Sequence, residues 1–125
     1  MTKIQNSKYF DLEERTLKFA KNTRQFVKKL IKTIANIEDG KQLIRTSGSV
    51  GANYIEANEA LSKKDFRHRI KICRKEAKES RYWLKLLETD NKSELEKKRQ
   101  RLIKEATELM KIFGSILEKP IKKKF

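Results

Sequence analysis

The chain is poor in the residues that make turns, staples and membrane spans. Its 125 residues include 1 Cys, 1 Pro and 4 Gly. Sandwiches, barrels and disulfide scaffolds need many turns, so this composition argues against all three. A lone thiol, Cys73, forms no disulfide within the chain, and with the single histidine, His68, it makes no metal site; a reducing compartment is expected. No apolar run approaches the roughly 18 residues of a membrane span, and residues 1–10 (MTKIQNSKYF) lack the apolar core of a secretory signal. A soluble cytoplasmic protein without a membrane partner is expected. The remaining shortage is of acid: 17 carboxylates stand against 32 Lys and Arg, a formal net charge of +15 at pH 7. Such a chain is drawn to polyanions, nucleic acid being the commonest. A lysine-rich coding composition raises the same count with no partner involved, and net charge says nothing of fold.

What is present is helical periodicity over room for one domain. Asp11 followed by Glu14 reads as a capping start, and Leu12, Phe19, Phe26, Val27, Leu30, Ile31 and Ile34 recur at helical spacing, so a first helix is expected over about 11–36. Between Thr16 and Ile37 there is no acid, and Lys18, Lys21, Arg24, Lys28, Lys29 and Lys32 gather opposite the apolar stripe. Asp39 and Gly40 read as a break. Leu43, Ser47, Val50, Tyr54, Ala57 and Leu61 then mark a second helix, with Arg45, Gly48, Ser49, Ala52, Glu56 and Glu59 on its other side. A helical glycine costs about 1 kcal/mol relative to alanine, so Gly48 and Gly51 imply close approach of another backbone, or else a loop around residues 47–51.

Ser62 with Asp65 makes another capping box before the third stripe, Phe66, Ile70, Cys73, Ala77, Leu84 and Leu87, which ends near Glu88. After a polar turn at 89–93, Leu95, Leu102, Ala106, Leu109, Phe113 and Ile116 mark a fourth helix, flanked by Ile103, Met110 and Leu117 and stopped by Pro120. Four amphipathic helices with short connections bury their stripes only against one another. The expected fold is all-α, an antiparallel up-down-up-down four-helix bundle over residues 11–118, with an N-terminal extension at 1–10 and a basic tail at 119–125.

Catalytic chemistry is missing from this pattern. A di-iron bundle needs two Glu-x-x-His pairs plus two further Glu, and Asp65 with His68 gives at best half of that. No histidine has a spacing that serves Ser47 or Ser49 as base, and no glycine-rich phosphate loop occurs. No enzyme, cofactor or metal is expected. Arg45, Asn53, Glu56 and Glu79 lie in or beside the apolar stripes, where a carboxylate is tolerated only with a partner. Arg45 and Glu56 are about 16 Å apart along one helix, so a polar network among these four crosses to another helix or another subunit; the bland alternative is exposed side chains that touch nothing.

The run from Gln42 to Ala57, QLIRTSGSVGANYIEA, resembles the second-helix signature of the bacterial four-helix bundle proteins first noticed in intervening sequences of large-subunit ribosomal RNA genes. Ser62 to Phe66 and Lys75 to Leu84 look like that family's third helix, and the likeness covers about residues 12–117. Ala57 stands where many relatives have Gly, and Thr46, Ser47 and Gly48 where many carry small apolar residues. The resemblance implies a bundle whose relatives form ring-shaped homopentamers. It includes the accessory protein of diversity-generating retroelements, which binds nucleic acid and a reverse transcriptase, and it brings no established enzymatic activity.

Two functional readings follow. In the first, a non-enzymatic homo-oligomeric bundle binds RNA or DNA, with Lys18, Lys21, Arg24, Lys28 and Lys32 of the first helix and Arg67, Lys71, Arg74, Lys78 and Arg81 of the third on phosphates. The aromatic residues are mostly spent on core positions, which disfavours base stacking. In the second, the bundle is an assembly adaptor for a protein partner and the cations serve solubility or an acidic surface.

Overall fold

The computed structural model describes residues 11–120, so the extension at 1–10 and residues 121–125 of the tail lie outside the described residues. Four helices follow in chain order: α1 Leu12–Lys28, α2 Ile34–Asn58, α3 Lys63–Leu86 and α4 Ser93–Glu118, with no strand among the described residues. They form the antiparallel up-down-up-down bundle. Each helix packs on its neighbours in sequence and α4 closes on α1; α2 and α3 associate most closely and α1 and α4 most loosely, while the diagonal pair α1 and α3 makes no close approach. Phe19, Phe26, Leu43, Val50, Ile70, Cys73, Leu84, Leu109 and Phe113 fill one continuous core, as the four stripes require. Ile112, outside the expected stripe, is buried with them.

The first connection differs from the sequence reading. α1 stops at Lys28 and not at 36; Thr33 caps α2, its hydroxyl accepting from the Asn36 amide at 3.0 Å. Ile31 and Ile34 therefore leave the core, at 44% and 84% exposure. Asp39 and Gly40 are not a break but lie inside α2. There Gly40 makes room for α1: a Cβ at this site would meet Val27 Cγ1 at 3.2 Å. Asn36, missed by periodicity, is buried and spans two connections. Its Nδ2 donates to the carbonyls of Ile31 and Glu88, and its Oδ1 accepts from the Glu88 amide, each at 2.9 Å. At the far end of α2, Leu61 falls in the connection to α3 and is 88% exposed. Asp11 adopts a left-handed conformation (φ 57°) and makes no side-chain cap, whereas Ser62 caps α3 as its spacing implies, accepting from the Asp65 amide at 3.0 Å.

Gly48 and Gly51 are helical, which removes the loop alternative, and they serve different ends. A Cβ on Gly51 would lie 2.9 Å from Thr16 Oγ1 and 3.7 Å from the Thr16 carbonyl carbon, so α1 crosses α2 there at close range. A Cβ on Gly48 meets only the Arg24 guanidinium, at 3.5 Å, an ordinary contact. Gly51→Ala is expected to destabilise by about 1–3 kcal/mol through overpacking. Gly48→Ala is expected to stabilise by about 0.5–1 kcal/mol, because alanine leaves the unfolded chain less conformational freedom than glycine. Thermal melts of the two variants check the opposite signs.

The α3–α4 connection is sealed by charge. Arg99 donates from Nη2 to Glu96 at 2.7 Å and from Nη1 to the carbonyls of Leu84 and Leu87, closing the end of α3. Glu96 also accepts from Thr89 Oγ1 at 3.0 Å and Gln100 Nε2 at 3.2 Å. These bonds, Arg99's foremost, hold its carboxyl down at about 2, against an ordinary 4.5. Since the folded value is the lower, the stabilisation is complete above about pH 4.5 and is lost as pH falls through about 2. The melting temperatures of wild type and Glu96→Gln are therefore expected to differ near neutral pH and to converge at about pH 2; a gap that persists in acid contradicts the assignment.

Candidate nucleic-acid interface

The cations nominated on α1 lie along its outer face. Lys18, Lys21, Arg24 and Lys28 are exposed; Lys32 is exposed too but belongs to the connection after α1. Arg24 leans over Gly48 of α2 and donates from Nη1 to the Ala20 carbonyl at 3.4 Å. On α3 the seven-residue spacing of Arg67, Arg74 and Arg81 turns all three toward α4. Arg67 donates to the Leu117 carbonyl at 2.9 Å, Arg81 to Thr107 Oγ1 at 3.2 Å, and the Arg74 guanidinium passes Gly114. Lys71 and Lys78 remain exposed beside them.

Among the described residues, none of these ten cations sits in an ion pair. Six carboxylates are engaged elsewhere: Glu105 with Arg15 at 2.7 Å, Glu96 with Arg99, Glu38 with Lys41, Glu76 and Glu79 with Lys75, and Glu108 with Lys111. The structure thus yields two unneutralised rows, but it does not join them. α1 and α3 occupy diagonal corners of the bundle, so a short strand laid on one chain meets one row or the other.

Arg45, Asn53, Glu56 and Glu79 are not brought together within the chain. Arg45 and Glu56 are exposed, and Glu79 is half-buried, 3.9 Å from Lys75. Asn53 alone is embedded: its Nδ2 donates to Ser49, and its Oδ1 accepts from Arg69 at 3.0 Å, tying α2 to α3. The buried polar contact between these helices is instead Thr46 with Ser80, hydroxyl to hydroxyl at 2.9 Å; the first also reaches the Leu43 carbonyl and the second the Glu76 carbonyl. Neither residue interrupts an apolar stripe in a way that periodicity singles out, since small hydroxyl residues pass for helix-surface positions.

Cys73 is fully buried, and burial pushes its thiol up to about 12, so it is a core residue and not a nucleophile. His68 is exposed. Among the described residues no three His, Cys, Asp or Glu side chains gather as for a metal ion, and no helix is long and apolar enough to cross a membrane.

Fold and surface together define a strongly basic all-helical bundle whose nominated cations on α1 and α3 are, among the described residues, outside any ion pair. The chain belongs to the 23S rRNA-intervening sequence protein family, whose model matches residues 9–115. It is similar to a crystallised protein with unknown function from the S23 ribosomal protein family of Bacteroides thetaiotaomicron VPI-5482, with 30% sequence identity, a TM-score of 0.77, and coverage of 90% of this chain and 99% of that one. Among curated proteins, none matches the chain.

Proposed function

We propose that the chain is a non-enzymatic, cytoplasmic nucleic-acid-binding bundle that acts as a homo-oligomer and holds RNA or DNA by phosphate contacts from α1 and α3. The observation that carries this reading is that, among the described residues, none of the ten cations is in an ion pair, while Arg15, Lys41, Lys75, Arg99 and Lys111 of the same bundle all face carboxylates. A face that only serves solubility mixes its signs; a face of one sign concentrates counter-ions and releases them on meeting a phosphate backbone. Because the two rows lie on diagonal corners, one chain offers each strand few phosphate partners. An oligomer, with the pentamer of the resembling family as its pattern, multiplies them. Arg45 and Glu56, exposed and in no ion pair among the described residues, are then available across a subunit boundary.

Gel-shift titration with RNA and with DNA at low salt tests this: a shift that weakens steeply as salt rises is expected, and no complex at low salt overturns it. The adaptor reading has an observation of its own in the exposed Ile31, Ile34 and Ile37 around the first connection, an apolar patch that suits a protein partner such as a reverse transcriptase. Affinity capture from the native host separates the readings. Nuclease-resistant recovery of one protein favours the adaptor, and nuclease-sensitive recovery favours nucleic acid.

A further inference from the structure

Where α1 and α4 pack most loosely, a cavity of about 240 Å³ opens between them, lined by Asn22, Gln25, Phe26, Lys98, Arg101 and Leu102. Its floor is apolar, since Phe26 and Leu102 are buried, and its rim is polar and cationic. Lys29, just past the end of α1, lies close enough to Lys98 for the two ammonium groups to repel, and the Arg101 charge adds to that repulsion. The proximity of Lys29 lowers the affinity of Lys98 for its proton, as a neighbouring like charge must. The one carboxylate acting on Lys98 is Glu94, a turn earlier on α4, and among the described residues neither lysine is in an ion pair. The amides of Asn22 and Gln25 likewise have no hydrogen-bond partner among the described residues. Farther along the same groove Arg15 and Glu105 close it with two hydrogen bonds, of 2.7 and 2.9 Å.

A cavity walled by the Lys98 ammonium, the Arg101 guanidinium and the exposed amides of Asn22 and Gln25, with the Lys29 ammonium close to Lys98, makes a place that an oxyanion completes. The geometry points to a discrete binding site for a phosphate-type oxyanion in the α1–α4 groove, with Lys29, Lys98 and Arg101 as its cations and Asn22 and Gln25 as amide donors. A bridging anion turns the repulsion of the lysines into two charge-assisted hydrogen bonds, and Arg101 offers a fork. The cavity is smaller than the roughly 300–1,000 Å³ of sites that take drug-sized ligands, which suits a compact ion or the phosphate of a larger molecule whose remainder stays outside. That phosphate comes either free, as inorganic phosphate or a phosphate ester, or from a nucleic-acid strand. Only the second source rests on the function proposed above, and the site is separate from the rows nominated there.

Calorimetric titration of the full chain with inorganic phosphate, at fixed ionic strength against chloride, tests the site. Saturable binding is expected, weakened by about tenfold or more in Lys29→Gln/Lys98→Gln and unchanged in the control Lys63→Gln/Lys64→Gln, which removes as much charge from the start of α3. Phosphate should also raise the melting temperature of wild type and not that of Lys29→Gln/Lys98→Gln. No saturable heat with wild type, or an equal loss in the control, overturns the proposal. If phosphate competes with RNA and Lys29→Gln/Lys98→Gln binds RNA more weakly, the natural source is a strand. If phosphate binds while RNA affinity is unchanged or absent, the source is a free phosphate compound, and the site stands whether or not the nucleic-acid reading survives.

Discussion

Replacing Lys21, Arg24 and Lys28 together by Glu lowers the affinity of the chain for RNA and DNA by about a hundredfold or more at low salt. Each substitution withdraws a cation from a phosphate and sets a carboxylate in its place, and affinity built on counter-ion release falls with every phosphate left unneutralised. The three side chains are exposed on α1, and none is in an ion pair among the described residues, so the bundle keeps its fold. Surface changes of this kind shift stability by about 0.5 kcal/mol or less each. Fluorescence anisotropy with a labelled RNA reads the affinity, and circular dichroism melts read the fold. A folded variant that still binds like wild type moves the interface off α1.

The second large effect is structural. Asn36→Ala is expected to cost on the order of 3 kcal/mol, because it removes three hydrogen bonds that a buried side chain makes to the carbonyls of Ile31 and Glu88 and to the Glu88 amide. For a domain of this size that is a fall of roughly 10 °C in melting temperature. Asn22→Ala, an exposed amide on α1, serves as the control and should melt like wild type. Equal melting of both variants would show that the clip between the two connections contributes nothing.

The contrast between these two residues shows how much of the molecule is written in its sequence pattern. Four apolar stripes at helical spacing carry the bundle, the Ser62 cap and the burial of Cys73, because all of these depend on residues near in sequence. The first connection is not legible that way. Thr33 and Asn36 look like any polar pair in a helix; the cap is a local bond between the two, and what makes Asn36 a clip is Glu88, more than fifty residues away. Gly40 is misleading for the same reason: a glycine after an aspartate reads as a break, while its actual constraint is the Val27 side chain of another helix. The cation rows are legible as a run without acid, since one helix decides it. The Lys29–Lys98 approach is not, because it joins helices at opposite ends of the chain.

Acetylation footprinting by mass spectrometry, with and without bound RNA, asks the central question at the level of single lysines. The account predicts that RNA protects Lys18, Lys21 and Lys28 on α1, or Lys71 and Lys78 on α3, while Lys41 and Lys111, which face their own carboxylates, react as before. Protection confined to lysines outside these two rows, with α1 and α3 fully reactive in the complex, would contradict it.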